Sequence, residues 1–194
     1  MGYIDAIKEY GQNQTGVFGM RMMWESMGYC MSSLDRLYPD QDTDHERLSA
    51  AFATSSFIHL ERKDKVAQAV SRLRAEQTGL WHIHSDGSER ERLSAPNEPV
   101  YSKELIDTYI DESEQHHAKW RNWFQEQRVS PFELSYEDLS ENPVQAVTNI
   151  LTFLKLDTSV AESLQPRTAK LGNNQSEKWI ARYRQMINSE HNGH

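Results

Sequence analysis

Apolar positions recur along this chain in two modes: short continuous runs, and stretches spaced three and four residues apart. The first run, residues 17–24, is interrupted by Gly19 and Arg21 and reads as a buried strand. Helical spacing follows in Met27, Met31, Leu34 and Leu37, ended by Pro39 and a group of acids. Thr43 is placed to cap a short helix through Phe52. Residues 57–60 form a second run of strand length. Asp64 then offers an N-cap to a helix whose Val66, Ala69, Val70 and Leu73 share one face. Gly79 is placed to stop that helix.

Residues 82–99 are polar and hold Gly87 and two prolines, which predicts a surface loop. Residues 102–124 predict a long helix with Leu105, Ile106, Tyr109, Ile110, His117, Trp120 and Phe124 along one side. Residues 132–136 read as a third strand. Asn142 and Pro143 pair an N-cap with a proline at the first helical position, ahead of an apolar face at Val144, Val147, Leu151 and Leu154. Ser176 is placed to cap a last helix carrying Trp179, Ile180, Tyr183 and Ile187. Strands alternating with helices predict an α/β fold of three layers around a parallel sheet. The expected organisation is one domain over 1–194, with residues 189–194 as a frayed tail.

Composition adjusts this picture in one respect. The chain of 194 residues is 37% hydrophobic, about 42% with glycine included, below the ~45–50% usual for globular domains. Either the domain is unusually solvated or part of its core lies in sequence outside this chain. The net charge of −8 argues against nucleic acid as a partner, which demands a clustered basic surface. A few arginines in a concave site still suffice for a small anion. The single cysteine, Cys30, excludes an internal disulfide framework and fits a reducing cytoplasm. No apolar run reaches the ~18 residues of a membrane span.

The residues that point to chemistry are Arg62, at the end of the second strand, and Ser71, nine positions on. A strand of an open α/β sheet delivers its last residue to the edge where ligands bind. A guanidinium there presents a planar fork of donors to a phosphate, and a serine hydroxyl two turns along the helix adds another. On spacing alone, a plainer reading is stronger: Arg62 paired with a helix carboxylate, and Ser71 a surface residue.

Residues 62–71 (Arg-Lys-Asp-Lys-Val-Ala-Gln-Ala-Val-Ser), continuing through Gln77-Thr78-Gly79-Leu80-Trp81-His82, resemble sulfotransferases of the bacterial trehalose 2-sulfotransferase type. Three further segments agree in order: residues 16–24, then Tyr136-Glu137-Asp138-Leu139 with Asn142-Pro143, then Trp179 to Tyr183. The resemblance implies a P-loop-NTPase-like sulfotransferase fold. It implies transfer of a sulfuryl group from 3′-phosphoadenosine 5′-phosphosulfate, without a metal, to a carbohydrate hydroxyl of a sugar or glycolipid, with a homodimer as the expected assembly. It places Arg62 and Ser71 on the donor's 3′-phosphate. It places Arg21 where other members carry a lysine near the bridging oxygen, a cation that stabilises charge on the leaving phosphate. Arg21 is otherwise a structural arginine at a sheet end.

Tyr136 falls beside the nucleotide cleft, as a contact or as core. Trp81 lines the acceptor pocket or packs at a helix end. Arg167 and Lys170 close over the donor phosphates or stay solvated. Two departures qualify the resemblance. Met23 stands where many sulfotransferases place a basic histidine, so the trehalose type is expected to use an upstream carboxylate. No glycine-rich or Arg-Ser-Gly loop for the 5′-phosphosulfate occurs in these residues, so the fold is expected to be N-terminally truncated. A non-catalytic remnant that keeps a nucleotide pocket or a dimer surface is therefore the competing expectation.

Other signals fail on their chemistry. Residues 40–51 begin like a calcium loop but place His45 at its glycine and Ala51 at its glutamate position. His82 and His84 lack a third ligand in the pattern. His116 and His117 are adjacent on a helix and cannot share a face. Cys30 reads as an inert thiol, and Trp120, Trp123 and Phe124 read as core or dimer contact.

Overall fold

The structure is a computed structural model that describes residues 2–12, 16–84, 86, 88–164 and 174–191. Helices α1 (Tyr3–Gln12), α2 (Trp24–Leu37) and α3 (Asp44–Phe52) precede strand β1 (Ile58–Glu61) and helix α4 (Lys65–Thr78). Strands β2 (Leu80–Ile83) and β3 (Glu89–Arg92) lead to the long helix α5 (Lys103–Glu126) and strand β4 (Phe132–Ser135). Helices α6 (Tyr136–Glu141) and α7 (Pro143–Phe153), a 3₁₀ turn (Ser159–Ser163) and helix α8 (Asn174–His191) complete the order.

Local chemistry sets most of these boundaries. Thr43 and Glu46 close a capping box at α3: the Glu46 amide donates to Thr43 Oγ1 (3.2 Å), and the Thr43 amide donates to the Glu46 carboxylate (2.9 Å). Asp64 caps α4 by accepting from the Ala67 amide at 3.0 Å. Gly79 ends α4 in the left-handed region at φ 71°, where glycine carries no Cβ penalty. Asn142 caps α7 through the Gln145 amide (3.1 Å), with Pro143 at the first helical position.

The described residues fall into two compact units. One comprises residues 1–59 and 118–132. Its core is Met27, Met31, Leu34, Leu48, Ala51, Trp123 and Phe124. The rings of Trp120, Trp123 and Phe124 pack on one another there, so this aromatic group is core. The Trp123 indole donates to Asp44 at 2.9 Å, which satisfies its polar edge. The other unit comprises residues 60–117 and 133–194. Its core joins Ala69, Val70 and Leu73 of α4 to Ile106, Trp179 and Tyr183. The expected face of α4 is thus the buried one, with Val66 packed at its margin.

Several expectations are corrected. Residues 17–23 form no strand, and Trp24 already opens α2. Val17, Met20 and Met23 are exposed. A strand exists only through a neighbour's hydrogen-bond ladder, and the described sheet holds only β1 and β4, in parallel. The predicted three-layer arrangement around a parallel sheet is met, among the described residues, by the parallel pair β1 and β4 alone, beside a separate hairpin of β2 and β3. The hairpin is antiparallel and occupies part of the expected loop over 82–99. Its β3 reads Glu-Arg-Glu-Arg with little burial, a polar pattern that hides a strand from hydrophobic periodicity. Tyr136 opens α6 instead of ending a strand, because Ser135 caps that helix through the Asp138 amide (3.0 Å). Ser176 is the third residue of α8 and not its cap. Leu37 is 54% exposed, and Ala146 is the one buried residue of α7. The helical spacing was legible there, but not what covers it. Helix α8 continues to His191, so part of the expected frayed tail is helical. No helix among the described residues is long and apolar enough to cross a membrane.

Candidate functional site

A cavity of about 350 Å³ opens within the second unit, in the lower part of the range of small-ligand sites. Helix α4 supplies its floor. Ala67, Ser71, Arg74, Ala75 and Thr78 line the cavity, and their spacing of four, three, one and three places them on one helical face. This face is rotated away from the core face. Its two alanines leave room between the polar side chains. Arg62 enters from the end of β1, Tyr136 from the start of α6, and Ser176, Glu177 and Ile180 from the first turns of α8. Leu80 and Arg92 of the hairpin and Pro96 and Asn97 beyond it close the rim.

The turn that carries Arg62 is held from both sides. The Glu137 carboxylate accepts the Lys63 amide at 3.1 Å and the Asp64 amide at 3.2 Å. Burial works to raise the Glu137 carboxyl, but these two amides and the nearby Arg62 charge outweigh it and hold the group below its ordinary range. Asp64 follows the same logic. Burial opposes its charge, yet the Ala67 amide and Arg184, whose Nη2 lies 2.8 Å from Oδ2, lower its pKa. Both ends of the β1–α4 turn are therefore fixed by ionised carboxylates. Arg62 then stacks over the Tyr136 ring, 4.6 Å from its centroid.

The charge balance of the lining is unusual for an acidic chain. Three guanidinium groups, Arg62, Arg74 and Arg92, face one carboxylate, Glu177. Arg62 Nε is buried without a hydrogen-bond partner, and no carboxylate among the described residues lies within 4 Å of its guanidinium. The Ser71 hydroxyl is free of partners among the described residues. Arg92 is otherwise engaged, ion-paired to Glu89 and donating to the Thr78 carbonyl at 2.5 Å. An orphaned buried donor beside a free hydroxyl and an aromatic face is the chemistry an anion attached to a flat, partly apolar group would satisfy.

Of the sites read from sequence, the structure brings Arg62, Ser71 and Tyr136 into this one cavity. Trp81 is half-buried on β2 and does not line it. Arg21 is exposed and belongs to the other unit. Arg167 and Lys170 lie outside the described residues. Sequence reading missed Arg74, Thr78, Arg92, Ser176 and Glu137. Arg74 and Thr78 carried a signal, lying three and seven residues beyond Ser71 on its own helical face. Glu137 carried none, because it acts on a turn 74 residues earlier in the chain.

An α/β scaffold that presents arginine and serine donors in a cavity beyond a strand end is a frame suited to an anionic ligand. The chain belongs to the Stf0 sulphotransferase family, whose model matches residues 1–186. It is 28% identical over 181 residues to the trehalose 2-sulfotransferase of Mycobacterium tuberculosis, an overlap of 92% of this chain and 64% of that protein. It is likewise 28% identical over 183 residues to the trehalose 2-sulfotransferase of Mycolicibacterium smegmatis, covering 93% and 65%. The chain thus spans just under two thirds of the length of these curated relatives.

Proposed function

We propose that this chain carries the donor-binding part of a P-loop-like sulfotransferase. Its donor is 3′-phosphoadenosine 5′-phosphosulfate, and its acceptor is a carbohydrate hydroxyl of the trehalose kind. Arg62 and Ser71 hold the 3′-phosphate, and Tyr136 keeps the Arg62 guanidinium flat against its ring. In the transfer, a bond forms between acceptor oxygen and sulfur while the bond from sulfur to the bridging phosphate oxygen breaks. The acceptor proton passes to a base, and adenosine 3′,5′-bisphosphate departs. Positioning and charge stabilisation supply most of the rate in such transfers. Arg21 is the residue we assign to the charge on the leaving phosphate, and Trp81 to the acceptor side.

The observation that supports this reading is the buried Arg62 Nε, without a hydrogen-bond partner, in a cavity that the free Ser71 hydroxyl also lines. Calorimetry with adenosine 3′,5′-bisphosphate tests it. Replacing Arg62 by alanine removes a charge-assisted contact of about 1.5–3 kcal/mol, so binding is expected to weaken by roughly ten- to a hundredfold. An Arg62→Ala chain that binds as tightly as the wild type refutes the phosphate assignment.

A further inference from the structure

Arg74 stands on the same face of α4, one turn beyond Ser71, and lines the same cavity. Its Nε is buried with no hydrogen-bond partner. Its Nη1 donates to Ser176 Oγ at 2.5 Å, a neutral acceptor. No carboxylate among the described residues lies within 4 Å of its guanidinium, Glu177 included. Burial pushes the Arg74 pKa down, with no neighbouring charge to offset it. A cation held against its desolvation cost in a concave wall calls for an anion from outside the chain. Arg92 differs, because Glu89 and the Thr78 carbonyl already satisfy it.

Arg62 and Arg74 are therefore two guanidinium groups on one cavity, each with a buried Nε lacking a hydrogen-bond partner and no carboxylate among the described residues within 4 Å, with the Ser71 hydroxyl on the same helical face as Arg74. Their summed charge exceeds that of a carboxylate or a phosphodiester, each a single negative charge. It matches a phosphate monoester, which carries about −1.5 to −2 at neutral pH. We infer that Arg74 is a second phosphate-binding residue that joins Arg62 on the ligand, making the cavity selective for a nucleotide bearing a phosphate monoester at this position. This inference rests on the donor-binding reading above.

The test compares adenosine 3′,5′-bisphosphate with adenosine 5′-phosphate by calorimetry on the full chain. The variants are Arg74→Met, which fills the same space without charge, Ser176→Ala, which removes the hydroxyl that Arg74 donates to, and Arg62→Ala. Arg74→Met is expected to weaken the bisphosphate by about tenfold or more and to shrink its preference over adenosine 5′-phosphate. Ser176→Ala is expected to keep the preference for the bisphosphate over adenosine 5′-phosphate, whatever its affinity. A preference lost equally in Arg74→Met and Ser176→Ala would mean that Arg74 merely ties two helices together, and would overturn the inference. Wild-type binding in Arg74→Met with weakened binding in Arg62→Ala would overturn it while leaving the donor site standing. A wild type without preference for the bisphosphate would sink both. Should Arg74→Met fail to melt cooperatively, Arg74→Lys decides, with partial retention expected and full retention of both affinity and preference against the inference.

Discussion

Replacing Glu137 by glutamine is the sharpest test of how the cavity is built. The glutamate accepts two backbone amides, from Lys63 and Asp64, at 3.1 and 3.2 Å. Glutamine keeps one acceptor oxygen and turns an NH₂ towards the other amide, so one backbone donor loses its partner. A hydrogen bond to a charged group contributes roughly 1.5–3 kcal/mol, and a loss of about 2 kcal/mol is expected at neutral pH. With a urea slope of about 2 kcal/mol/M, the unfolding midpoint should fall by about 1 M. The sign of the pH dependence is also fixed. The folded Glu137 carboxyl titrates below its ordinary value, so its stabilisation is complete above about pH 4.3 and fades as pH falls through the depressed folded pKa. The gap between wild type and Glu137→Gln should therefore narrow in acid. Circular dichroism at neutral pH and near pH 3.5 reads both quantities. Coincident midpoints at neutral pH, or a gap that widens in acid, would refute this account of the turn. Since that turn places Arg62, the same variant should also bind adenosine 3′,5′-bisphosphate less tightly.

Two further outcomes follow from the packing of the second unit. Gly79→Ala should lower the melting temperature, by an amount equivalent to about 1–3 kcal/mol, because the new Cβ would sit at positive φ and 2.6 Å from the Ser94 carbonyl oxygen. A thermal scan that leaves the transition in place would contradict the close approach of hairpin and helix end. Tyr109 is pushed up to about 12, first by burial and then by its hydrogen bond to Glu76, so near-UV absorbance should show its phenol ionising late, together with those of Tyr101 and Tyr183, which burial also pushes up. The Tyr109→Phe chain should lose one phenol's amplitude from that late range, and losing it from the ordinary range near pH 10 instead would show the phenol to be solvated.

The resemblance and the local physics of the chain reached a definite distance. The caps at Thr43, Asp64 and Asn142, the glycine stop at residue 79 and the core face of α4 were all legible, because each depends on residues within one or two turns of one another. Arg62 and Ser71 line one cavity, but spacing alone favoured the plainer reading of each, and only the resemblance put them together. The run at residues 17–24 shows the opposite case. Its apolar content is that of a strand, but strand formation depends on a distant neighbour that its own residues do not encode.

What the sequence determined by itself is therefore most of the helices, the caps at Thr43, Asp64 and Asn142, the core face of α4 and the helix carrying Ser71. Tertiary structure decided what those elements face: the hairpin that brings Arg92 to the rim, Tyr136 beneath Arg62, Glu137 on the β1–α4 turn, and Ser176 as the neutral partner of Arg74. The division has a physical cause. Helical period and capping are short-range and fixed by neighbouring residues, whereas the charge balance of a cavity depends on which side chains, 74 or 102 positions apart, the fold brings within a few ångströms.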